Sequence, residues 1–326
     1  MKNKIIKCLR EADGYVSGQE LCERLGVSRT AVWKVIRQLQ EEGYQIEAVR
    51  NRGYHLVDSV DVLTEAELQN LMHTRWAGQN LFIHKEIDST NNEVRRLAEQ
   101  GAPEGTLVLA EQQNAGKGRR GRAWTSPAGT GIWMSLLLRP AFAPEYASML
   151  TLLAAMAVQQ GICQVTGLDC QIKWPNDIVL NGKKICGILT EMSTEEDTIR
   201  HVVVGIGINV NTEYFPEDIA ATATSLMIEA GHRIARAPLA CAVMSAWESI
   251  YERYCETLDL SLLMEEYNQK LVNRGREVKV LAPKGDYTGV SLGINAQGEL
   301  LVELPNGMVR EVMSGEVSVR GIYGYV

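Results

Sequence analysis

The sequence lacks almost every signature by which an enzyme is usually recognised. It has no G-x-x-x-x-G-K-[ST] and no H-E-x-x-H, the letters G-x-S-x-G occur only at 289–293 inside the run YTGVSLGI, which reads as a strand and not as a strand-to-helix turn, and its five histidines are dispersed. Metal-hydrolase and serine-hydrolase readings therefore fall away. Seven cysteines form no C-x-x-C pair and are odd in number, so reduced, mostly buried thiols are expected rather than a disulfide framework or a zinc site. The opening MKNKIIKCLREADG scatters charge where a secretory signal needs an apolar stretch, which predicts a cytoplasmic protein. One uncharged run, residues 146–168, is long enough to interest a membrane, but it carries Gln159, Gln160 and Gln164. It reads as a core helix, with no membrane partner. No internal repeat, low-complexity tract or long linker interrupts the chain, so abutting compact domains are expected.

What is present divides into three segments. The net charge of −7 is uneven: residues 1–60 hold ten Lys/Arg against eight Asp/Glu, and the remainder is acidic. Within residues 1–63, helical patterns run over 4–11, 18–25 and 28–42, the last two joined by Gly26-Val27. Ser28 can cap the third helix. Ala31, Val32, Val35, Ile36 and Leu39 give that helix an apolar face, while Arg29, Thr30, Lys34, Arg37 and Gln38 project elsewhere without an acidic neighbour. YQIEAVRNRGYHLV then alternates around a turn at Asn51-Arg52-Gly53, which predicts a two-stranded wing with Arg50 and Arg52 near its tip. The segment resembles a winged helix-turn-helix DNA-binding domain, with Ser28, Arg29, Thr30, Lys34, Arg37, Arg50 and Arg52 as the candidate contacts. A domain this weakly basic is expected to bind DNA specifically only as a dimer.

Residues 64–273 mix strands and helices. GKGRRGRAW at 116–124 contains the letters G-x-G-x-x-G, but Pro127, Gly129 and Gly131 interrupt any helix after it, so no helix N-terminus can receive a pyrophosphate. Four cations in six residues (Lys117, Arg119, Arg120, Arg122) instead predict an anion-binding loop. DSTNNE at 88–93 reads as a helix start in which Thr90 and Glu93 have capping-box spacing. Residues 171–180 predict strand, tight turn and strand, with Asn181-Gly182 closing a second hairpin. The strand at 201–211 carries Gly205 and Gly207, where missing side chains would let a ligand approach the backbone. Lys173 at a strand–turn junction completes a set of cations without a nucleophile, which implies stabilisation of developing negative charge. In residues 274–326, REVKVL, YTGVSLGI, GELLVEL, MVREVM and EVSVR predict five short strands in a small barrel.

D-S-T-N at 88–91, Q-x-A-G-x-G-R-R-G-R-x-W at 113–124, K-W-P-N-D at 173–177, K-x-x-G-I-L at 184–189 and G-x-G-I-N at 205–209 resemble, in order and spacing, the biotin protein ligases. With the winged helix in front, the whole chain resembles their bifunctional ligase and repressor form. Lys117 stands where some members have arginine.

The resemblance implies an α+β multidomain protein: winged helix-turn-helix at 1–63, a class II synthetase-like biotin/lipoyl ligase domain with mixed sheet at 64–273, and an SH3-like β barrel at 274–326. It implies biotin, ATP and Mg²⁺, formation of biotinyl-5′-AMP, and transfer of biotin to a lysine of a biotin carboxyl carrier protein. It also implies operator DNA as a partner and a homodimer when the adenylate is bound. Ser89, Thr90, Asn91, Gln113, Lys117, Gly118, Arg119, Lys173 and Gly207 would hold biotin. Lys117, Arg119, Arg120, Arg122, Trp124, Lys173 and Asn209 would hold ATP and the adenylate, with Lys173 and Arg119 catalytic and no fixed protein site for metal. Two other readings fit the residues: a sensor-only transcription factor, and a lipoate ligase, against which the polar Ser89, Thr90 and Gln113 weigh.

Overall fold

The computed structural model describes residues 1–12, 14–41, 43–57, 61, 63–282, 285–313, 318–321 and 325–326. They form two compact units, one of residues 1–72 with 235–241 and the other of 73–234 with 242–326.

The first unit contains α1 (Lys2–Arg10), α2 (Gly18–Leu25), α3 (Arg29–Glu41), β1 (Ile46–Val49), β2 (Gly53–Leu56) and α4 (Glu65–Leu71). Ser17 caps α2 by accepting from the Glu20 amide at 3.1 Å, and Gly26 ends it in the left-handed conformation, the usual glycine exit from a helix. Ser28 accepts from the Ala31 amide at 3.3 Å, so it caps α3 as expected; Glu42 lies outside the described residues. Ile5, Ile6, Leu9, Leu21, Val32, Ile36, Leu39, Ile46 and Leu56 make one core. The apolar positions of α3 recur at helical spacing, which is why its basic positions are left facing outward.

The second unit is built on a seven-stranded sheet of order β3-β4-β5-β9-β8-β7-β6. Its strands are β3 (Asn80–Ile87), β4 (Thr106–Gln113), β5 (Gly131–Leu138), β6 (Gln171–Lys173), β7 (Asp177–Leu180), β8 (Lys183–Glu195) and β9 (Thr198–Asn209). The β3–β4 pair is parallel and the other neighbours are antiparallel, so the sheet is mixed. The parallel pair needs a crossover, which α5 (Thr90–Glu99) supplies. Val94 and Ala98 of α5 pack on Val108, Leu137 and Val203. After β5 comes α6 (Leu150–Thr166), and after β9 come α7 (Glu217–Ala220), α8 (Leu226–Ala230), α9 (Arg236–Thr257) and α10 (Met264–Lys270). The run Pro144–Thr166 is long and apolar enough to cross a membrane by length and composition, but 67% of its apolar 18-residue window is buried inside the protein, as the core-helix reading expects.

The last strands are β10 (Glu277–Leu281), β11 (Tyr287–Ile294), β12 (Leu300–Glu303), β13 (Val309–Val312) and β14 (Ser318–Gly321), in one antiparallel sheet of order β13-β12-β11-β10-β14. All five expected runs carry strand, although residues 316–317 of the last lie outside the described residues. Among the described residues the outer strands β13 and β14 do not pair with each other, so they show the five-stranded antiparallel sheet but not the closure of the barrel expected from the sequence. Alternation and turns predict strands but not whether two edges meet.

Candidate active site and nucleic-acid interface

Strand register decides where the site forms. Directly paired residues of antiparallel strands share a face. The pairs Lys173↔Asp177, Asp177↔Gly187, Gly187↔Gly207 and Gly207↔Trp133 run as one row across β6, β7, β8, β9 and β5. The adjacent row pairs Leu189 with Gly205 and Gly205 with Ser135. Glycines in the middle, with bulky or charged groups at the ends, leave a trough. A Cβ on Gly205 would lie 2.1 Å from Asn91 Oδ1, and one on Gly207 2.7 Å from Trp124 Nε1, so only glycine permits these approaches.

At the start of α5, Ser89, Thr90 and Asn91 are buried and polar. The capping box expected at Thr90 and Glu93 is absent. Thr90 is already the first helical residue, and its amide and hydroxyl donate to Gln113 Oε1 at 2.8 and 3.1 Å. Glu93 instead accepts from Arg96 at 2.8 Å. A partner brought by β4, distant in sequence, thus displaces the local motif. The network continues from Gln113 Nε2 to Ser126 Oγ at 2.8 Å and from the Ser135 hydroxyl to Thr90 Oγ1 at 2.7 Å and Asn91 Oδ1 at 2.6 Å. Asn91 Nδ2 donates to Glu191, which also receives Arg95 at 2.9 Å. Buried polar groups held this way keep a fixed donor and acceptor pattern for a ligand to read.

The loop from Gln113 to Ser126 is a narrow hairpin. Gly118 N donates to Arg122 O at 2.7 Å and Trp124 N to Gly116 O at 2.9 Å. β4 leads through this hairpin to β5, with only a three-residue 3₁₀ turn, Arg119–Gly121, between them. The dinucleotide reading is thereby excluded, as the sequence argued. Arg119 turns inward and donates to Asn176 Oδ1 at 2.9 Å. Burial pushes its guanidinium below the ordinary value, against the pull of Asp177. Lys117 Nζ reaches Asn92 Oδ1 at 2.7 Å, while Arg120 and Arg122 are exposed.

Two cavities meet at Gly118, Arg119, Trp124, Asn176 and Lys184. The first is lined by Ser89, Thr90, Asn91, Gln113, Lys117, Gly118, Arg119 and Gly207, and holds only about 50 Å³. Its floor is occupied by the Trp124 indole. The second holds about 510 Å³ and is lined by Arg119, Arg120, Arg122, Trp124, Lys173 and Asn209. Lys173, assigned to both substrates from the sequence, therefore lies on the larger cavity alone. Asn209 Nδ2 donates to Thr224 O at 3.2 Å.

Lys184 and Tyr325, which also line the larger cavity, are not among the site residues read from the sequence. Lys184 Nζ stands 2.5 Å from Asp177 Oδ1, and the Tyr325 hydroxyl donates to Asp177 Oδ2. Burial pushes the Asp177 carboxyl up, but Lys184 and Lys173 outweigh it, and the net position is below the usual carboxylate range. Lys184 was visible only as the first letter of K-x-x-G-I-L; nothing in the sequence marks Tyr325. Trp174 is a core residue, buried with Nε1 donating to Gly298 O at 3.1 Å. Among the described residues no group of three or more His, Cys, Asp or Glu could hold a metal ion. Arg119, Lys173 and Lys184 converge on one space without an activated nucleophile, an arrangement suited to bringing two anions together.

In the first unit, α3 exposes Arg29, Thr30, Lys34 and Arg37 together, and Arg29 donates to Gln19 of α2 at 3.0 Å. The sequence reading missed Trp33, which is 52% exposed on the same helix, with the Arg37 guanidinium 5.0 Å from its ring centroid. In the hairpin, Asn51 takes φ 67° at the turn. Arg50 is exposed beside it, and the Arg52 guanidinium lies 4.6 Å over the Tyr15 ring. A basic helix face and a basic wing are the two surfaces a winged helix offers to DNA.

A mixed sheet carrying a cationic hairpin over two joined cavities, in a chain whose other unit is a helix-turn-helix, is the arrangement of an acid-activating ligase class. The chain belongs to the biotin protein ligase family: residues 83–209 match the Biotin/lipoate A/B protein ligase family, 2–55 an HTH domain and 275–320 the Biotin protein ligase C terminal domain. It is 41% identical over 324 residues to the bifunctional ligase/repressor BirA of Bacillus subtilis, covering 98% of each chain. It is 30% identical over 319 residues to the protein of the same name from Escherichia coli, covering 97% of this chain and 96% of that one. Among solved structures it resembles the biotin protein ligase from Aquifex aeolicus in complex with biotin and ATP, with a TM-score of 0.66 and 32% identity, covering 74% of this chain and 99% of that chain.

Proposed function

We propose that the chain is an ATP-dependent biotin protein ligase that also acts as a biotin-responsive transcriptional repressor of biotin genes. The biotin carboxylate attacks the α-phosphate of ATP, giving biotinyl-5′-AMP and pyrophosphate. The adenylate then acylates one lysine of a biotin carboxyl carrier protein. The observation that carries this reading is the junction, at Arg119 and Lys184, of a small pocket lined by Ser89, Thr90, Asn91 and Gln113 with a larger cationic chamber. Both reactants are anions, so fixed cations at their meeting point lower the barrier.

Ser89, Thr90, Asn91 and Gln113 take the ureido end of biotin, and Gly207 passes close to it. Lys117, Gly118 and Arg119 wrap the carboxylate and later the adenylate phosphate. Lys173 is the main cation at the α-phosphate, assisted by Arg119. Arg120 and Arg122 are supporting cations, Asn209 positions the nucleotide and Trp124 packs over the product. Mg²⁺ enters with the nucleotide as part of the substrate. Ser28, Arg29, Thr30, Lys34, Arg37, Arg50 and Arg52 face operator DNA.

By role, residues 1–63 bind DNA, 64–273 form the class II synthetase-like ligase domain and 274–326 an SH3-like barrel. The protein works in the cytoplasm. Adenylate-bound chains form a homodimer that engages two half-sites, and carrier protein and second protomer compete for one surface.

Biotin-dependent exchange of labelled pyrophosphate into ATP tests the enzyme, with lipoate as the control acid. Exchange with biotin and not lipoate is expected; no exchange in a folded sample that binds biotin overturns the reading. Sedimentation and operator binding with and without biotin plus ATP test the coupling, which fails if neither changes.

A further inference from the structure

The described C-terminal end reaches the cationic chamber through one side chain. Tyr325 lines the larger cavity together with Lys173, Asp177 and Lys184. Lys173 Nζ lies 4.0 Å from the centroid of its ring, and its hydroxyl donates to Asp177 Oδ2. Lys173 and Asp177 are themselves a direct cross-strand pair, and the tyrosine that touches both lies 148 residues beyond Asp177 in sequence. One aromatic residue thus meets the ammonium with its face and the neighbouring carboxylate with its tip.

We infer that Tyr325 is a positioning residue for Lys173: its ring seats the ammonium at the nucleotide side of the site, and its hydroxyl fixes the Asp177 carboxylate beside it. The inference rests on the adenylation reading above. A ring face holds a cation less tightly than a charge-assisted hydrogen bond does. Lys173 seated on the ring can therefore move to an incoming phosphate at little cost. The hydroxyl acts on the other partner. By donating to Asp177 it shares the carboxylate with Lys184, whose Nζ is 2.5 Å from Oδ1, and steadies its orientation. Simple packing of a chain end needs neither contact; phenylalanine or leucine would fill the same space.

The titratable groups that influence Asp177 are Lys173 from β6, Lys184 from β8, Arg119 from the hairpin and Tyr325, with Cys186 of β8 close by on the other face of the sheet. Burial pushes the Cys186 thiol up, so it stays neutral. The Tyr325 hydrogen bond helps hold the Asp177 carboxyl down, and its loss raises that group.

Tyr325→Phe keeps the ring and removes the donor; Tyr325→Leu removes both. In biotin-dependent pyrophosphate exchange, Tyr325→Phe is expected to lower kcat about threefold and to move the acid limb of the pH profile to higher pH. Tyr325→Leu should lower kcat by roughly tenfold while KM for biotin stays within about twofold. If both variants keep kcat within about twofold of the wild type with the acid limb unmoved, the inference is overturned. It is equally overturned if KM for biotin and ATP rise together at constant kcat, the pattern of a packing residue. Absence of exchange in the wild type would strike the adenylation reading instead. The seating is then decided by labelling Lys173 in the intact protein with trinitrobenzenesulfonate, located by peptide mass: faster in Tyr325→Leu and unchanged in Tyr325→Phe supports it, and equal rates in all three proteins overturn it.

Discussion

The indole of Trp124 lies directly on Gly207: a Cβ built there would stand 2.7 Å from Nε1 and 2.9 Å from Cε2 of the ring. Gly187, its cross-strand partner, meets the same ring at 2.9 Å. The backbone of β8 and β9 forms the floor of the polar pocket, and Trp124 occupies the space above it. Its Nε1 is buried without a hydrogen-bond partner, a state that costs about 1–3 kcal/mol. A ligand that displaces the ring recovers part of that cost. Gly207→Ala should therefore fold with a loss of about 1–3 kcal/mol from overpacking, and should lower biotin affinity at least about tenfold. Calorimetric titration with biotin checks this, and an unchanged affinity removes Gly207 from the pocket floor.

Lys173→Ala removes the cation at the head of the cross-strand row. The expected loss is about 2–4 kcal/mol of transition-state stabilisation, read as a fall in biotin-dependent pyrophosphate exchange with little change in biotin binding. A wild-type exchange rate in this variant would refute the role.

The Asp177 carboxyl sits below its ordinary range in the folded protein, because Lys184 and Lys173 outweigh the upward push of burial. In the unfolded chain it returns to about 3.9. A depressed carboxyl contributes stability that is fully present above the unfolded value and is lost as pH falls through the folded one. The gap in Tm between the wild type and Asp177→Asn should accordingly be widest near neutral pH and narrow in the acid range below about pH 4. A gap that stays constant down to pH 2 would show that the ion pair adds nothing.

Lys117, Arg119, Arg120 and Arg122 make the 113–126 hairpin a target for trypsin. Only a few backbone hydrogen bonds close it, so its opening is cheap compared with that of the sheet below. Biotin with ATP should slow cleavage there by ordering the hairpin over the product. Cleavage at the same rate with and without ligands would remove the closing role.

On α3 and the wing, Lys34 and Arg50 are exposed basic side chains. Replacing either with alanine should weaken operator binding across sequences and reduce the salt slope by about one. Alanine at Trp33, which is 52% exposed and carries Arg37 over its ring, should instead change the preference among half-site sequences at constant slope. Filter binding over a salt series separates the two outcomes.

The legible part of the site is the part written contiguously. Glycine and cation clustering marked the 116–124 hairpin, and Lys173-Trp174-Pro175-Asn176-Asp177 marked a strand–turn–strand. The misread residue was Thr90, whose local spacing to Glu93 imitates a cap. In the fold its donors are taken by Gln113, 23 residues on. Ser135 and Tyr325 carry no motif of their own; each matters through a neighbour that only folding supplies.

By itself the sequence determined the elements and the kind of chemistry. Apolar periodicity set the three helices and the wing, alternation set the strands, and cations without a nucleophile set charge stabilisation, because these depend on residue type at short spacing. Tertiary structure decided which groups meet. The cross-strand register aligned Lys173, Asp177, Gly187, Gly207 and Trp133 in one row, and the C-terminal tyrosine closed onto it. It also placed β13 and β14 at opposite edges of their sheet, where they do not pair with each other among the described residues. Register and edge pairing are long-range properties, fixed by how the strands pack together rather than by any residue's neighbours in the chain.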